Sequence, residues 1–298
     1  MSKQEYISRY LLIINYLKRG QANWSDVLNH LKTQSEITGY NYVISQRTFQ
    51  RDINEIGSLW NFEIQNNKST GYYILAQEKE DNENFQLLDS FNLYNALSLS
   101  NNYSQLIEFE TRIPKGTEHI YGLLHTIKNR FVIELNYHKF YEDEAEKVVV
   151  HPYLVKQFKG RWYLLCIKES SGKVRTYGLD RIIDFDIRKK KYVVDKELNL
   201  AEKFKSCFGI ITPEELKPER VVFSLSAEQA KYIITYPLHV SQRVVKETRD
   251  EVTFEITVYI TYDLLMELLG LGEQITIISP KKLIKEYTAI NKNILNKY

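Results

Sequence analysis

The sequence predicts an α+β protein built from several domains, and three observations lead to this class. Apolar residues recur at helical spacing over the first 60 positions. Short strand-like runs separated by turn residues follow between residues 130 and 194. Residues 220–298 then show a β-α-β-β-α-β order. Because 298 residues exceed a typical single core, we place four segments at residues 1–78, 79–128, 129–205 and 215–298.

The first segment, residues 1–78, has the pattern of three helices followed by a hairpin. Asn23 and Ser45 are helix-capping residue types, and they mark the starts of the second and third helices. Polar residues 66–71 separate two apolar runs, with Lys68 near the tip, as in the hairpin of a winged helix-turn-helix. Winged helices that bind proteins instead of DNA share this pattern. The apolar face of the first helix consists of Ile7, Tyr10, Leu11, Ile14 and Leu17.

The third predicted helix has two contrasting faces. Its apolar face carries Phe49, Ile53, Ile56 and Trp60. The polar side chains that fall mostly on the opposite face are Gln46, Arg47, Gln50, Arg51 and Asn54. A buried face that anchors the helix and an exposed Arg and Gln face suit contact with base edges and phosphates. A helix face that is only solvated has the same composition, so both interpretations stay open.

Residues 79–128 have the pattern of a helical linker. The acidic stretch at residues 78–84 predicts a domain boundary, and helical spacing follows at residues 85–99 and 117–128. Such helices can bridge two modules, form a dimer contact or cover a neighbouring barrel.

The middle segment, residues 129–205, predicts a small β-barrel of five short strands. The strand-like runs cover residues 131–137, 147–153, 162–167, 173–179 and 182–187. Arg175 and Arg181 offer planar donor forks suited to phosphate, Tyr163 offers a hydroxyl and a ring, and His151 can donate or stack. An alternative is that Asp180 and Arg181 form only a structural ion pair. We interpret the basic run at residues 188–191 as a solvated turn.

Several motifs in this segment recur in order with family-like spacing. They are His151-Pro152-Tyr153-Leu154, Gly160, Arg161-Trp162-Tyr163-Leu164-Leu165 and Leu179-Asp180-Arg181-Ile182. The segment resembles the WYL domain, a small Sm-like β-barrel of bacterial transcription regulators that senses a ligand, often nucleic acid. The resemblance implies effector-binding roles for Tyr163, Arg175 and Arg181, and His151 matches a less uniform position of the family.

The sequence Ser45-Gln46-Arg47-Thr48-Phe49-Gln50-Arg51-Asp52-Ile53 resembles the third helix of the winged regulators that precede WYL domains. That resemblance places Arg47, Thr48 and Arg51 on a DNA-facing helix and gives Asp52 a structural role. One departure is that residues 32–43 are longer than usual for this family. The candidate DNA contacts are Gln46, Arg47, Thr48, Gln50, Arg51 and Lys68.

The last segment, residues 215–298, predicts a ferredoxin-like sandwich from its β-α-β-β-α-β order. It resembles the extension that commonly follows WYL domains, which implies a part in the ligand site or in dimerisation.

Composition excludes several functional classes. A net charge of +2 leaves only local patches for nucleic-acid contact. Cys166 and Cys207 form neither a disulfide framework nor a metal-ligand pattern, and the sequence lacks His-Glu-x-x-His and phosphate-loop motifs. We therefore expect no metal, no cofactor and no enzymatic activity. No apolar run approaches the roughly 20 residues that span a bilayer, so we expect a cytoplasmic protein without a membrane partner.

The resemblances together imply a ligand-responsive bacterial transcription regulator. It would bind double-stranded DNA as a homodimer through its winged module and sense a nucleic-acid or nucleotide-like anionic effector at the barrel. The alternative is a single-strand nucleic-acid-binding or enzyme-accessory protein in which the barrel is the working surface.

Overall fold

The computed structural model describes residues 3–60, 62–75, 90, 108, 110–194, 200–213 and 216–298. The chain divides into two compact units, Met1–Glu110 and Thr111–Tyr298. Both contain helices and antiparallel strands, which confirms the α+β class. The predicted boundary at residues 78–84 and nearly all of the predicted helix at residues 85–99 lie outside the described residues. Within the described part of the chain, no helix is both long enough and apolar enough to cross a bilayer.

The first unit has three helices and one hairpin in the predicted order. Their bounds are α1 Lys3–Leu17, α2 Trp24–Thr38, α3 Gln46–Trp60, β1 Ile64–Asn67 and β2 Gly71–Ile74. Asn23 begins α2 as predicted, because its side chain accepts from the Asp26 amide while the Asp26 carboxylate accepts from the Asn23 amide. Gly39 ends the same helix in the left-handed conformation, with φ of 75°.

One apolar core joins the helices to the hairpin. Fully buried members come from each helix, among them Ile14, Val27 and Phe49. The hairpin is fixed to the segment before α2, because residues Ala22 and Tyr72 exchange backbone hydrogen bonds of 3.0 and 2.8 Å. Gly71 permits this approach: a Cβ atom there would lie 2.4 Å from the Ala22 carbonyl oxygen.

The second unit contains an antiparallel sheet of five strands in the order β6-β5-β4-β3-β7. The bounds are β3 Phe131–Tyr137, β4 Glu146–Phe158, β5 Arg161–Lys168, β6 Val174–Gly178 and β7 Ile182–Lys191. Before it, the 3-10 turn Thr117–His119 leads into α4, Ile120–Asn129, which packs on the apolar face of the sheet. The interpretation of residues 188–191 as a turn is wrong, because they extend β7 and Lys191 pairs with Phe131 of β3.

The C-terminal part of this unit follows the predicted β-α-β-β-α-β order and ends with a further helix, which the apolar spacing after Pro280 predicts. The bounds are β8 Glu219–Ser226, α6 Ala227–Thr235, β9 Arg243–Glu247, β10 Glu251–Val258, α7 Tyr262–Gly270, β11 Ile275–Ser279 and α8 Lys281–Leu295, and α5 Leu200–Lys205 precedes them. The sheet order is β11-β8-β10-β9, so the first and third of these strands lie in the centre. Its core includes Phe223, Phe254, Leu264 and Leu283, all fully buried.

Candidate functional site

The exposed face of α3 carries most of the predicted DNA contacts. Gln46, Arg47, Gln50 and Arg51 are exposed at the surface, whereas Thr48 is half-buried. Thr48 contributes to the helix start, since its backbone amide donates to the Ser45 hydroxyl at 3.2 Å. The four exposed side chains present two guanidinium groups and two amides along one helix, which are the donor types that contact phosphates and base edges.

A buried ion pair holds α3 against α1. The Arg9 Nε and Nη2 atoms donate to the two carboxylate oxygens of Asp52 at 2.7 and 3.1 Å. Neither side chain is accessible to solvent. This bidentate pair ties α1 to α3 and gives Asp52 the structural role that the resemblance implies.

The hairpin is connected to the same helix face. The side-chain amide of Gln50 donates to the Tyr72 hydroxyl at 2.6 Å. Lys68 is exposed in the turn between β1 and β2, where the Asn67 side chain accepts from the Ser69 amide at 2.9 Å. Helix and hairpin therefore form one surface within the first unit.

The predicted effector residues of the five-stranded sheet do not lie in one place. Tyr163 is 9% exposed and packs in an apolar cluster with Leu200, Phe204, Cys207 and Tyr259. Burial raises the pKa of its hydroxyl. Tyr163 thus faces α5 and the C-terminal sheet, whereas its neighbour Leu164 points into the core under α4, as alternation along a strand requires.

Arg175 lies on the other face of the same strands. Its cross-strand partner is Cys166, which belongs to the core under α4, and cross-strand partners share a face. The Arg175 side chain is exposed, and its Nη1 atom donates to the Val174 carbonyl at 2.9 Å. Tyr163 and Arg175, which the resemblance assigns to one effector site, therefore lie on opposite faces of the described strands and do not line a common pocket.

Arg181 is held between a carboxylate and two aromatic rings. Its Nε atom lies 3.4 Å from Asp180 Oδ1, and its guanidinium carbon lies 4.5 Å from the Phe140 ring centre and 5.5 Å from that of Tyr137. The Arg181 guanidinium group packs against Gly178, where a Cβ atom would lie only 2.4 Å from Arg181 Nη2. The absence of a side chain at Gly178 therefore permits this position of Arg181. The ion pair with Asp180 that the sequence left open as an alternative is present.

Arg161 joins this arrangement, although the sequence analysis did not select it as a site residue. Its Nη1 atom lies 3.3 Å from Asp180 Oδ2, and 55% of its side chain is exposed, against 24% for Arg181. Two guanidinium groups therefore share one carboxylate, which leaves one positive charge at the surface. The sequence feature that could have identified Arg161 is its position directly after Gly160, at the start of β5.

His151 lies elsewhere on the sheet. Its ring stacks on Tyr192 with centroids 5.1 Å apart, and its Nε2 atom lies 3.4 Å from Glu169. Glu169 also accepts from Lys190 at 2.6 Å, and that hydrogen bond, followed by the one from His151, lowers the pKa of the carboxyl. His151 pairs with Ile167, four residues along β5 from Tyr163, so the two positions are roughly 13 Å apart.

Lys156 connects the five-stranded sheet to the segment that follows α5, and sequence reasoning missed it. Its ammonium group donates to the carbonyls of Cys207 and Gly209 at 3.3 and 2.6 Å. Burial lowers its pKa. The Thr176 hydroxyl adds a bond of 3.1 Å to the Ile210 carbonyl.

A shallow depression of about 630 Å³ lies beside α6 and contains none of the predicted effector residues. Among the residues that the structure describes, no group of three His, Cys, Asp or Glu side chains is arranged to hold a metal ion.

Comparison with solved structures gives only distant similarities. Proteasome accessory factor B/C (PafBC) of Arthrobacter aurescens is 15% identical, with 95% of this chain and 46% of that chain covered and a TM-score of 0.35. The chain thus spans about half the length of PafBC. A crystal structure of a CRISPR Cas-related protein is 14% identical, with 99% and 84% covered and a TM-score of 0.38. No curated protein matches the chain.

Comparison with family models is more informative. The WYL domain model matches residues 118–187, which include α4, strands β3 to β6 and the first part of β7. The WCX domain model matches residues 217–295, which include β8 to α8. The chain therefore contains a WYL domain followed by a WCX domain.

Proposed function

We propose that the protein is a transcription regulator that binds duplex DNA as a homodimer and senses an anionic, nucleic-acid or nucleotide-like effector. In this proposal the first unit is a winged helix-turn-helix, the WYL domain an Sm-like barrel and the WCX domain a ferredoxin-like sandwich. We assign it no catalytic activity and no cofactor. The observation that carries the proposal is the exposed Arg and Gln face of α3, in the same chain as a WYL domain.

The geometry of α3 supports duplex binding. Arg47 and Arg51 are four residues apart and exposed, so they extend from one side of the helix. The buried Arg9–Asp52 pair keeps the opposite side in place, which lowers the conformational cost of docking. Gln50, hydrogen-bonded to the hairpin, positions the second element of a winged module against the first.

The proposed effector surface is the group formed by Arg161, Asp180 and Arg181. An arriving phosphate can accept from both guanidinium groups, because Asp180 occupies only part of their donor capacity. The exposed Phe140 ring beside Arg181 offers a face for base stacking.

The experiment is a duplex-binding titration of the double variant Arg47→Ala with Arg51→Ala, using the DNA upstream of its own gene. We expect at least about a tenfold loss of affinity, and a salt slope smaller by about 1 for each phosphate contact removed. Lys246→Ala with Arg249→Ala makes the same charge change on the exposed hairpin of the WCX domain and serves as control.

Unchanged duplex affinity in the α3 double variant would overturn the proposal. If the wild-type chain binds single-stranded oligonucleotides and not duplexes, and the α3 variant leaves that binding intact, the accessory-protein alternative is the better description.

A further inference from the structure

Strand β7 is an open edge of the WYL sheet. It pairs with β3 on one side, and no other described strand pairs with its second side. Ile183 and Ile187 on this strand are 55% and 47% exposed. A long edge strand with apolar side chains is a template for pairing with another chain unless something covers or blunts it.

Charges along β7 divide into two halves of opposite sign. The first half carries Asp184 and Asp186, and the second half carries Arg188 and Lys190. Asp184 and Asp186 share one face by strand alternation. The pairing with β3 shifts register between Ile187 and Lys191, but Arg188 still reaches the face of Asp186, because it contacts Glu134, the cross-strand partner of Asp186. A strand protected only against aggregation would carry charges of one sign, because opposite signs make self-pairing attractive.

The carboxylates of the two aspartates have no partner among the residues that the structure describes. Neither side chain forms a hydrogen bond or an ion pair there, and both residues are exposed. Asp186 also lies directly opposite Glu134 of β3, a like-charge pair. Arg188 and Lys190, in contrast, already contact Glu134 and Glu169. Cationic side chains of another molecule would therefore stabilise the acidic half of the strand more than the basic half.

We infer that β7 pairs antiparallel with β7 of a second copy of this chain, around a two-fold axis at Ile187. This register sets Asp184 against the second copy's Lys190 and Asp186 against its Arg188, and symmetry repeats each pair. Ile187 meets its own counterpart at the axis.

The inference rests on the proposed homodimer and specifies its interface. The pairing joins the two WYL sheets into one continuous sheet, so a change at one barrel has a direct route to the other.

The test is the dimer dissociation constant of the full chain, measured by sedimentation or mass photometry. Asp184→Lys with Asp186→Lys makes β7 entirely basic, and we expect the constant to rise at least about tenfold. Asp143→Lys with Glu144→Lys makes the same charge change in the exposed loop between β3 and β4 and should leave the constant unchanged.

A reciprocal variant, Arg188→Asp with Lys190→Asp, leaves only aspartates at the four alternate positions 184, 186, 188 and 190, while Lys189 and Lys191 stay unchanged, and it should also dissociate. Mixing the acidic and basic variants should restore dimers, because each then meets its complement. Circular dichroism melts confirm folding. If the acidic variant does not fold, Ile187→Lys replaces it, since two lysines at the axis repel each other.

Two outcomes separate the claims. A folded basic variant that dimerises as tightly as the wild type overturns the β7 interface but leaves the homodimer intact. A wild-type chain that stays monomeric overturns both. Neither result affects duplex binding by α3, which the Arg47 and Arg51 variant tests alone.

Discussion

Arg51 and Asp52 are neighbours on α3, yet they have opposite environments. The Arg51 side chain is 59% exposed and its Nη2 atom lies 3.8 Å from Asp52 Oδ1, while the Asp52 side chain is fully buried against Arg9. Helical geometry alone sets them about 100° apart around the axis, so one can face solvent while the other faces α1. Adjacent charged residues in one motif therefore have separate tasks: Arg51 is available to a partner, and Asp52 holds the helix.

Substitution of Asp52 by Ala should strongly lower the free energy of unfolding of the first unit. The change leaves the Arg9 guanidinium buried without its carboxylate, which costs about 3–5 kcal/mol in the free energy of unfolding. Arg51→Ala, at the exposed neighbour, should change the same quantity by less than about 0.5 kcal/mol. Urea unfolding followed by circular dichroism measures both, and equal losses would contradict the assignment of the two roles.

His239 gives the protein a pH-dependent stability. Its Nε2 atom lies 2.7 Å from the Lys205 carbonyl, and burial lowers its pKa below the ordinary 6.5. The unfolded chain then binds the proton more readily than the folded chain at mildly acidic pH. The free energy of unfolding should therefore fall as the pH drops through 6.5 and level off below the folded-state pKa.

The variant His239→Gln should lose this component. Thermal melts across the range from about pH 7.5 to about pH 5 should show a smaller loss of stability than in the wild type. Burial also lowers the pKa of His30. Its contribution to the pH dependence is the same in the wild type and in the variant, so it cancels when their profiles are compared. Parallel profiles for the two proteins would rule out this role for His239.

At the scale of elements, the segment at residues 207–211 joins the WYL and WCX domains within the second unit. Lys156 of β4 binds its carbonyls, while the Asp263 carboxylate of α7 accepts from the amides of Ile210 and Ile211 at 2.8 and 3.1 Å. Gly209 fits because a Cβ atom there would lie 2.2 Å from Asp263 Oδ2. Both domains therefore fix the same short segment.

Asp263→Ala should release this segment from the WCX side. Hydrogen exchange at the Ile210 and Ile211 amides should accelerate at least about tenfold, because each loses a hydrogen bond to a charged acceptor worth about 1.5–3 kcal/mol. Asp250→Ala, on an exposed hairpin turn of the same domain, is the matched control. Unchanged exchange at both amides would show that the carboxylate does not hold the segment.

At the scale of the whole molecule, the proposal requires coupling between α3 and the barrel. An effector that changes duplex affinity by a given factor must have its own affinity changed by duplex by the same factor, commonly about 5–150-fold. Short single-stranded oligonucleotides and cyclic nucleotides are suitable probes for the barrel.

Arg161→Ala with Arg181→Ala should abolish the response to such a probe and leave duplex affinity without the probe unchanged. The structure places both guanidinium groups at Asp180, so their loss removes the positive charge of that surface. Arg175→Ala, on a different part of the barrel surface, should have the smaller effect. Fluorescence anisotropy of labelled duplex, with and without probe, measures each case. A double variant that responds like the wild type would remove these residues from the effector site.

The sequence by itself determined the order of elements and the helix starts. Periodicity, the capping residues Asn23 and Ser45 and the turn at residues 66–71 are local signals, and local hydrogen bonds satisfy them. The WYL motifs were also readable, because they depend on residue type and spacing, and the family match at residues 118–187 confirms them.

Only the tertiary structure decided which side chains meet. The faces of Tyr163 and Arg175 depend on pairing between β5 and β6, and the partners of Arg161 and Arg181 depend on a turn that returns Asp180 to the start of β5. The same holds for residues 188–191, whose composition indicates a turn but whose pairing with β3 makes them strand. Such contacts join positions far apart in the chain, so no local pattern records them.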